Sequence, residues 1–489
     1  MGVRVRYPPS PTGLQHIGGV RTALFNYFLA RSRGGTFVLR IEDTDQTRFD
    51  PKALTDLYET LEWLGLDWDE GPRRGGDHAP YVQSERADLY RLYADRLLDE
   101  GHAYRCFCTT ARLDQLRSRQ GKATGYDRKC RSIDPAESDR LADSGSSFVV
   151  RLKIPLEGST EFEDLLLGKI RRKNKDIAPD PVLLKSDTLP TYHLANVIDD
   201  HLMGITHILR AQEWLSSVPI HMVLYRAFDW APPLFCHLPL VLGKDGQKLS
   251  KRHGSTALRD FREAGYLPEA IVNYVSLLGW SYDDRREFFS PEELEELFSL
   301  ERLNKAPAVF DHKKLDWFNG QYIRRCSDER LTSLIIPFLV RDAVVAESPT
   351  DRDLAIISGV LPLVRERLKR LDEVSQSVRF LFAEVEEYEI ETLVPKKSTP
   401  VAALQGLLAG RSILEEFDDL SDDELERRFR DAAESMGLKL GELLMPVRVA
   451  VTGTVASPPL FGSIRLLGSG TAIERVERAI QRLKEHVGG

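Results

Sequence analysis

The segment from Arg4 to Gly19, RVRYPPSPTGLQHIGG, constrains this chain more than any other. Val3–Tyr7 reads as a short strand. Pro8–Gly13 then holds three prolines and a glycine, so neither a strand nor a helix can continue through it. After His16-Ile17-Gly18-Gly19 comes VRTALFNYFLA, with Val20, Leu24 and Phe28 at four-residue spacing, the period of a helix. The pattern is strand, tight turn, helix N-terminus. A helix start presents unpaired N–H groups and partial positive charge, which suits a phosphate. Gly18 and Gly19 admit a ligand close to the backbone, and His16 adds a donor. A nucleoside triphosphate site is the first expectation, although proline-rich turns before helices are common.

The second feature lies far downstream. Leu242–Gly254 reads LGKDGQKLSKRHG, a glycine-bearing loop in which Lys248 and Lys251 flank Leu249-Ser250. Alone it reads as a solvated basic loop. Paired with the His-Ile-Gly-Gly turn, it resembles the HIGH and KMSKS signatures of class I aminoacyl-tRNA synthetases. Further blocks narrow the resemblance to bacterial-type glutamyl-tRNA synthetases: PSPTG at Pro9–Gly13, RTALFN at Arg21–Asn26, LRIEDTD at Leu39–Asp45 and TYHLANVIDDHLMGITHILRAQEWL at Thr191–Leu215. The matches fill the N-terminal half in the family's order; the C-terminal half is similar to the family's anticodon-binding region more loosely.

The resemblance implies an α/β fold, with a Rossmann-like class I catalytic domain carrying an inserted acceptor-binding domain, followed by an all-α anticodon-binding half. The expected partition is 1–105 for the first part of the catalytic domain and 106–188 for the insertion. Residues 189–254 form its second part with the KLSKR loop, 255–325 a helical stem-contact junction, and 326–489 the anticodon-binding domain. It also implies ATP-dependent activation of L-glutamate to glutamyl-adenylate, transfer to the terminal ribose of tRNA(Glu), a requirement for tRNA in activation, and a monomer.

Arg6 stands at a strand end, where open α/β sheets bind ligands; a guanidinium suits a carboxylate by two parallel hydrogen bonds. The resemblance implies that Arg6, Pro8, Ser10, Glu42, Tyr192, Asn196 and Arg210 form the glutamate site. Glu42 would hold the α-ammonium and Arg210 the side-chain carboxylate. Pro8 stands where the family usually has alanine. For ATP the implied residues are Pro9, His16, Gly18, Gly19, Glu213, Trp214, Lys248, Ser250 and Lys251. Of these, His16, Lys248 and Lys251 stabilise the charge developing on pyrophosphate, with Mg²⁺.

Composition sets outer limits. A formal net charge of −8 over 489 residues argues at first against a nucleic-acid partner, but local clustering of Lys and Arg matters more than the sum. Five cysteines in such a chain suit a reducing cytoplasm. The chain begins without a secretory leader pattern, and no run approaches the roughly 20 apolar residues of a membrane span. Three of the cysteines, Cys106, Cys108 and Cys130, fall close together with Tyr126. They read either as small buried side chains or as thiolates placed to hold zinc. The resemblance implies a structural zinc on them, with Tyr126 as a further candidate ligand.

The basic run Lys169, Arg171, Arg172, Lys173 and Lys175 reads as a solvated face or a tRNA-phosphate contact. Arg365, Arg367 and Arg448 are candidate tRNA contacts in the C-terminal half. Strands are expected at Thr36–Ile41, Phe148–Ile154, Phe162–Ile170, Thr206–Arg210 and Phe235–Leu240, and helices at Ala355–Leu371, Val401–Phe417, Asp422–Gly437 and Ile473–His486, among others. Two other classes compete: a small-molecule nucleotidyltransferase, which would need no long helical C-terminal half, and a non-catalytic RNA-binding relative, which would have no reason to keep His16, Lys248 and Lys251.

Overall fold

In the computed structural model, which describes residues 2–120, 125–385, 388–396 and 398–488, the expected strand, turn and helix open the chain. Strand β1 (Arg4–Tyr7) leads through the proline turn into helix α1 (Ile17–Ser32), which returns to β2 (Thr36–Leu39). β1 and β2 are parallel, with Arg6 opposite Val38 and Tyr7 opposite Leu39. α1 is buried on nearly all sides, from Ile17 to Ala30, so its sequence lacks a polar stripe.

The parallel framework comes from two separated segments. β8 (His207–Ala211) and β9 (Leu234–Leu238) are joined by the helix Val218–Ala227 and pair in parallel, with Arg210 opposite His237. β1 meets this pair where Thr206 N–H donates to the Arg4 carbonyl at 2.9 Å. Between the two segments lie β3 (Ala103–Cys106), β4 (Val149–Leu152) and β7 (Val182–Leu184), an antiparallel sheet in the order β3-β4-β7. The same interval contributes β5 (Ser159–Asp164) and β6 (Gly168–Lys173).

The expected single strand Phe162–Ile170 is thus a hairpin: it turns through Leu165–Leu167, where the Asp164 carboxylate accepts from the N–H groups of Leu166 and Leu167. β5 also pairs in parallel with β9 at Asp164 and Phe235, which fixes the order β6-β5-β9-β8. β10 (Val241–Leu242) and β11 (Ala308–Val309) form a further short parallel pair.

The chain divides into two compact units, one of residues 1–262 and 268–312, the other of 263–267 and 313–489. The described residues of the second unit contain helices and no strand. Its core gathers Leu407, Phe417, Phe429, Leu443, Val447, Ile464, Val476 and Leu483. Several of its helices start at a polar cap; Ser421 and Glu424 bond reciprocally at the head of Asp422–Ser435. The expected helix Ala355–Leu371 runs over Asp351–Val364, begun by the Thr350 cap with Asp353. Among the described residues no helix is long and apolar enough to cross a membrane.

Candidate functional site

The C-terminal ends of the parallel strands carry a dense set of buried charges. Arg6, on β1, donates from Nε to Asp200 Oδ1 at 3.1 Å. Arg40, one residue past β2, donates to the same oxygen at 2.7 Å and to Glu42 Oε1 at 2.9 Å. Its Nε lies 3.8 Å from Asp199 Oδ2. Asp199 also accepts from Arg86 Nε at 2.8 Å, Gln83 at 2.9 Å and the Tyr90 hydroxyl at 2.8 Å. Arg6, Arg40 and Arg86 against Glu42, Asp199 and Asp200 make a balanced buried set. Burial pushes the Glu42 and Asp199 carboxyls up, and at Asp200 the same burial is outweighed by Arg6 and Arg40, which hold it below the usual range.

This network leaves polar atoms without partners among the described residues. Among them are Arg6 Nη1, Arg40 Nε, Asp200 Oδ2, both side-chain amide atoms of Asn196, and the Tyr225 hydroxyl. Asn196 and Asp200 are four residues apart on the helix Tyr192–Leu202 and so share a face. Buried polar groups are normally satisfied, so a cluster of exceptions points to a polar ligand.

Arg210, near the end of β8, is held differently. It is 5% exposed and donates from Nε to His237 Nε2 at 3.0 Å, from Nη1 to the Tyr192 hydroxyl at 2.7 Å and from Nη2 to the Trp214 carbonyl at 3.4 Å. All three acceptors are neutral, and Arg210 makes no ion pair among the described residues. Tyr192 packs against Trp214, their ring centroids 4.6 Å apart and their planes tilted by 40°. Burial and the nearby Arg210 charge lower the pKa of His193 to about 4, and burial holds that of His221 well below the ordinary histidine value.

The two loop signatures meet through the backbone. Ile17 N–H donates to the Thr256 carbonyl at 3.0 Å and Leu258 N–H to the Gln15 carbonyl at 2.9 Å, so His16 pairs with Ala257 just beyond the lysine loop. His16 caps α1: its Nδ1 accepts from Gly19 N–H at 3.2 Å. That bond places the imidazole proton on Nε2. Desolvation, then the Lys248 charge, lower the pKa of His16 and keep it neutral. A Cβ at Gly18 would lie 3.2 Å from His16 Cε1, and one at Gly19 3.2 Å from the Tyr7 hydroxyl, so both glycines keep this corner narrow.

In the loop itself Lys248 forms an exposed ion pair with Glu213, while Lys251 makes none among the described residues. Ser250 is pinned by His253, whose Nδ1 accepts from Ser250 N–H at 3.0 Å. Pro9 accepts from Glu42 N–H at 3.0 Å, tying the proline turn to the acidic segment, and Pro8 and Ser10 flank it.

Cys106, Cys108 and Cys130 bring their sulfurs within 4.8 Å of one another. The Tyr126 hydroxyl lies 3.2 Å from Cys106 Sγ and 3.6 Å from Cys108 Sγ. Tetrahedral zinc–thiolate bonds of about 2.3 Å require such sulfur separations, so the donor set fits a zinc ion. Arg112, 3.4 Å from Cys108 Sγ, would offset part of the thiolate charge.

Residues 2–317 match the family model described as tRNA synthetases class I (E and Q), catalytic domain, and residues 330–480 match an anticodon binding domain. The chain is 53% identical over 487 residues to the glutamate–tRNA ligase of Borreliella burgdorferi, covering 99% of both chains. The corresponding ligase of Treponema denticola is 52% identical over 502 residues, with 98% of this chain and 99% of that one covered. This chain belongs to the glutamate–tRNA ligases. A crystal structure of the glutamate–tRNA ligase of Elizabethkingia meningosepticum in complex with its amino acid superposes with a TM-score of 0.84 at 35% identity, over 99% of this chain and all of that one.

The fold expected of a glutamate–tRNA ligase is therefore present: a class I catalytic domain followed by a helical anticodon-binding domain. The expected glutamate residues Arg6, Glu42, Tyr192, Asn196 and Arg210 all lie in the first unit, on either side of the 106–188 interval, and are brought to the same strand ends. Sequence reasoning missed Arg40, Asp199, Asp200, Asp164, His237 and Tyr225. For Asp199 and Asp200 the available signal was two adjacent carboxylates inside an apolar helical period. In the second unit the candidate arginines are engaged internally: Arg365 with Asp328, Arg367 with the Ser457 carbonyl, and Arg448 with Ser457 Oγ at 2.6 Å and the Pro458 carbonyl at 2.9 Å.

Proposed function

We propose that this glutamate–tRNA ligase seats its amino acid between the two arginine environments, the side-chain carboxylate on Arg210 and the α-ammonium beside Glu42. The observation that carries the reading is Arg210, a buried cation with only neutral partners. Leaving it so costs the fold several kcal/mol unless an anion arrives. Arg6, Ser10, Tyr192 and Asn196 complete the pocket, with Pro8 shaping the turn. An uncharged analogue leaves the guanidinium unpaired, which supports strong discrimination.

The glutamate α-carboxylate then attacks the α-phosphorus of ATP, and the bond to pyrophosphate breaks. His16 donates from Nε2 to a phosphate oxygen, while Lys248 and Lys251 meet the charge that develops on pyrophosphate. Gly18, Gly19 and the N–H groups opening α1 face the same charge, and Pro9, Glu213, Trp214 and Ser250 border the nucleotide. Mg²⁺, when bound with ATP, screens the triphosphate. In the second step the terminal 2′-hydroxyl of tRNA(Glu) attacks the activated carbonyl and AMP leaves. The 106–188 insertion receives the acceptor end, and Arg365, Arg367 and Arg448 are tRNA contacts in the helical half. The enzyme works as a cytoplasmic monomer, in keeping with five free cysteines.

The test is ATP–pyrophosphate exchange with L-glutamate, with and without tRNA, for wild type and Arg210→Ala. Exchange is expected to require both glutamate and tRNA and to fall by roughly a thousandfold or more in the variant. Robust exchange without RNA would overturn the requirement for tRNA in activation. A structural zinc on Cys106, Cys108, Cys130 and Tyr126 predicts about one zinc per chain by elemental analysis, lost in Cys106→Ser; a metal-free wild type would end that reading.

A further inference from the structure

Arg210 can recognise a carboxylate only if its guanidinium plane is fixed while its charge is left unspent. Three adjacent strands meet that requirement. Arg210 on β8 lies directly opposite His237 on β9, and Asp164 on β5 lies behind His237. His237 is fully buried and Asp164 1% exposed.

The hydrogen bonds assign every proton. Asp164 Oδ2 accepts from the His237 backbone N–H at 3.0 Å and from its Nδ1–H at 2.6 Å. Its Oδ1 accepts from Leu166 N–H at 3.0 Å and Leu167 N–H at 2.9 Å. Four donors converge on one carboxylate, so Asp164 is ionised and the imidazole proton sits on Nδ1. Nε2 then carries a lone pair and accepts from Arg210 Nε–H at 3.0 Å. The other tautomer, or an imidazolium, would set N–H against N–H, because a guanidinium cannot give up its proton. Burial lowers the pKa of His237, in the same sense.

We propose that Asp164 and His237 are positioning residues for amino-acid specificity: Asp164 fixes the tautomer of His237, and His237 fixes the rotation of Arg210 without neutralising it. A carboxylate at position 237 would orient Arg210 equally well but would spend its charge. With Nε–H bound to His237, and one hydrogen of each Nη bound to Tyr192 and Trp214, one hydrogen remains on each Nη. Those two are left to donate to a carboxylate. The proposal rests on Arg210 being the partner of the glutamate side chain.

The experiment is steady-state aminoacylation by the full chain with tRNA, varying L-glutamate and ATP separately, for wild type, Arg210→Ala, His237→Ala, His237→Gln and Asp164→Asn. His237→Ala is expected to raise the KM for glutamate roughly tenfold or more, with the KM for ATP within about twofold of wild type. His237→Gln recovers most of the loss, because its Oε1 takes the place of Nε2 as acceptor. Asp164→Asn resembles His237→Ala, because its amide N–H donates to Nδ1 and drives the proton to Nε2, as in other His–Asp pairs. If His237→Ala does not fold, the contrast between His237→Gln and Asp164→Asn decides in its place. An unchanged KM for glutamate in His237→Ala, beside a raised one in Arg210→Ala, would overturn the proposal and leave the pocket reading intact. Equal losses in kcat and in both KM values, with His237→Gln no better than His237→Ala, would also overturn it, as a purely structural effect. An unchanged KM for glutamate in Arg210→Ala would remove the pocket reading itself.

Discussion

Arg40 and Arg210 are both buried at strand ends in the first unit, and the protein treats their charges in opposite ways. Arg40 lies among Asp199, Asp200 and Glu42, and its charge is answered within the fold. Arg210 has His237, Tyr192 and the Trp214 carbonyl, which fill hydrogen-bonding directions and return no charge. A buried arginine among carboxylates is part of the framework. One among neutral acceptors stores an electrostatic deficit that an anionic ligand relieves.

The largest effect that would sharpen this contrast is on stability. Asp200→Ala leaves Arg6 and Arg40 buried without their shared carboxylate, and equilibrium denaturation is expected to show a loss of about 3–5 kcal/mol. A loss under about 1 kcal/mol would mean that the set relaxes easily and is no framework. Arg210→Met should behave differently. It removes an uncompensated charge but orphans three acceptors, so the net change without ligand is expected within about 1 kcal/mol of wild type. Saturating L-glutamate, at a hundred times its Kd, should stabilise wild type by about 2.7 kcal/mol and the variant not at all. If Arg210→Met were destabilised as much as Asp200→Ala, the two arginines would be alike and the comparison would fail.

What could be read from the sequence follows the range of each interaction. The first strand, its proline turn and α1 are local, and their limits were close to the observed Arg4–Tyr7 and Ile17–Ser32. Arg210 was found because it lies in a block of recognisable neighbours. The groups that define its environment were not. Asp164 falls inside the strand expected over Phe162–Ile170, whereas it ends β5 and caps the turn at Leu166 and Leu167; its partner His237 lies 73 positions away. Arg40 and Asp200 are 160 positions apart, and adjacent aspartates in a helix ordinarily mark a solvated face. The three cysteines were visible as a group, but the orientation of Tyr126 toward two of their sulfurs depends on the fold. Sequence shows which charges exist; only the strand order shows which are answered.

The smallest expected effect is a difference in response to acid. His193 Nδ1 lies 3.2 Å from His221 Nε2, both near Arg210. Burial, then the Arg210 charge, lower the pKa of His193 from the ordinary 6.5 to about 4. In the unfolded chain this histidine binds a proton below about pH 6.5, whereas in the fold it does not until about pH 4. Its contribution is therefore fully present above the unfolded pKa and is lost as the pH falls through that window, by at most about 1.4 kcal/mol per pH unit. On the Arg40 side, Asp200 has its pKa lowered from 3.8, so the stability it contributes is present above that value and is lost at more acidic pH. Urea denaturation between about pH 6.5 and 5 should then show a loss in wild type that is smaller by up to about 2 kcal/mol in His193→Asn. Arg210→Met should flatten the same slope in part, because it removes the second cause of the shift. Bound L-glutamate should flatten it in wild type but not in that variant, since a carboxylate beside Arg210 offsets the charge His193 feels. A slope indifferent to both Arg210→Met and glutamate would mean that burial alone holds His193 neutral, and that the Arg210 charge is already answered within the protein.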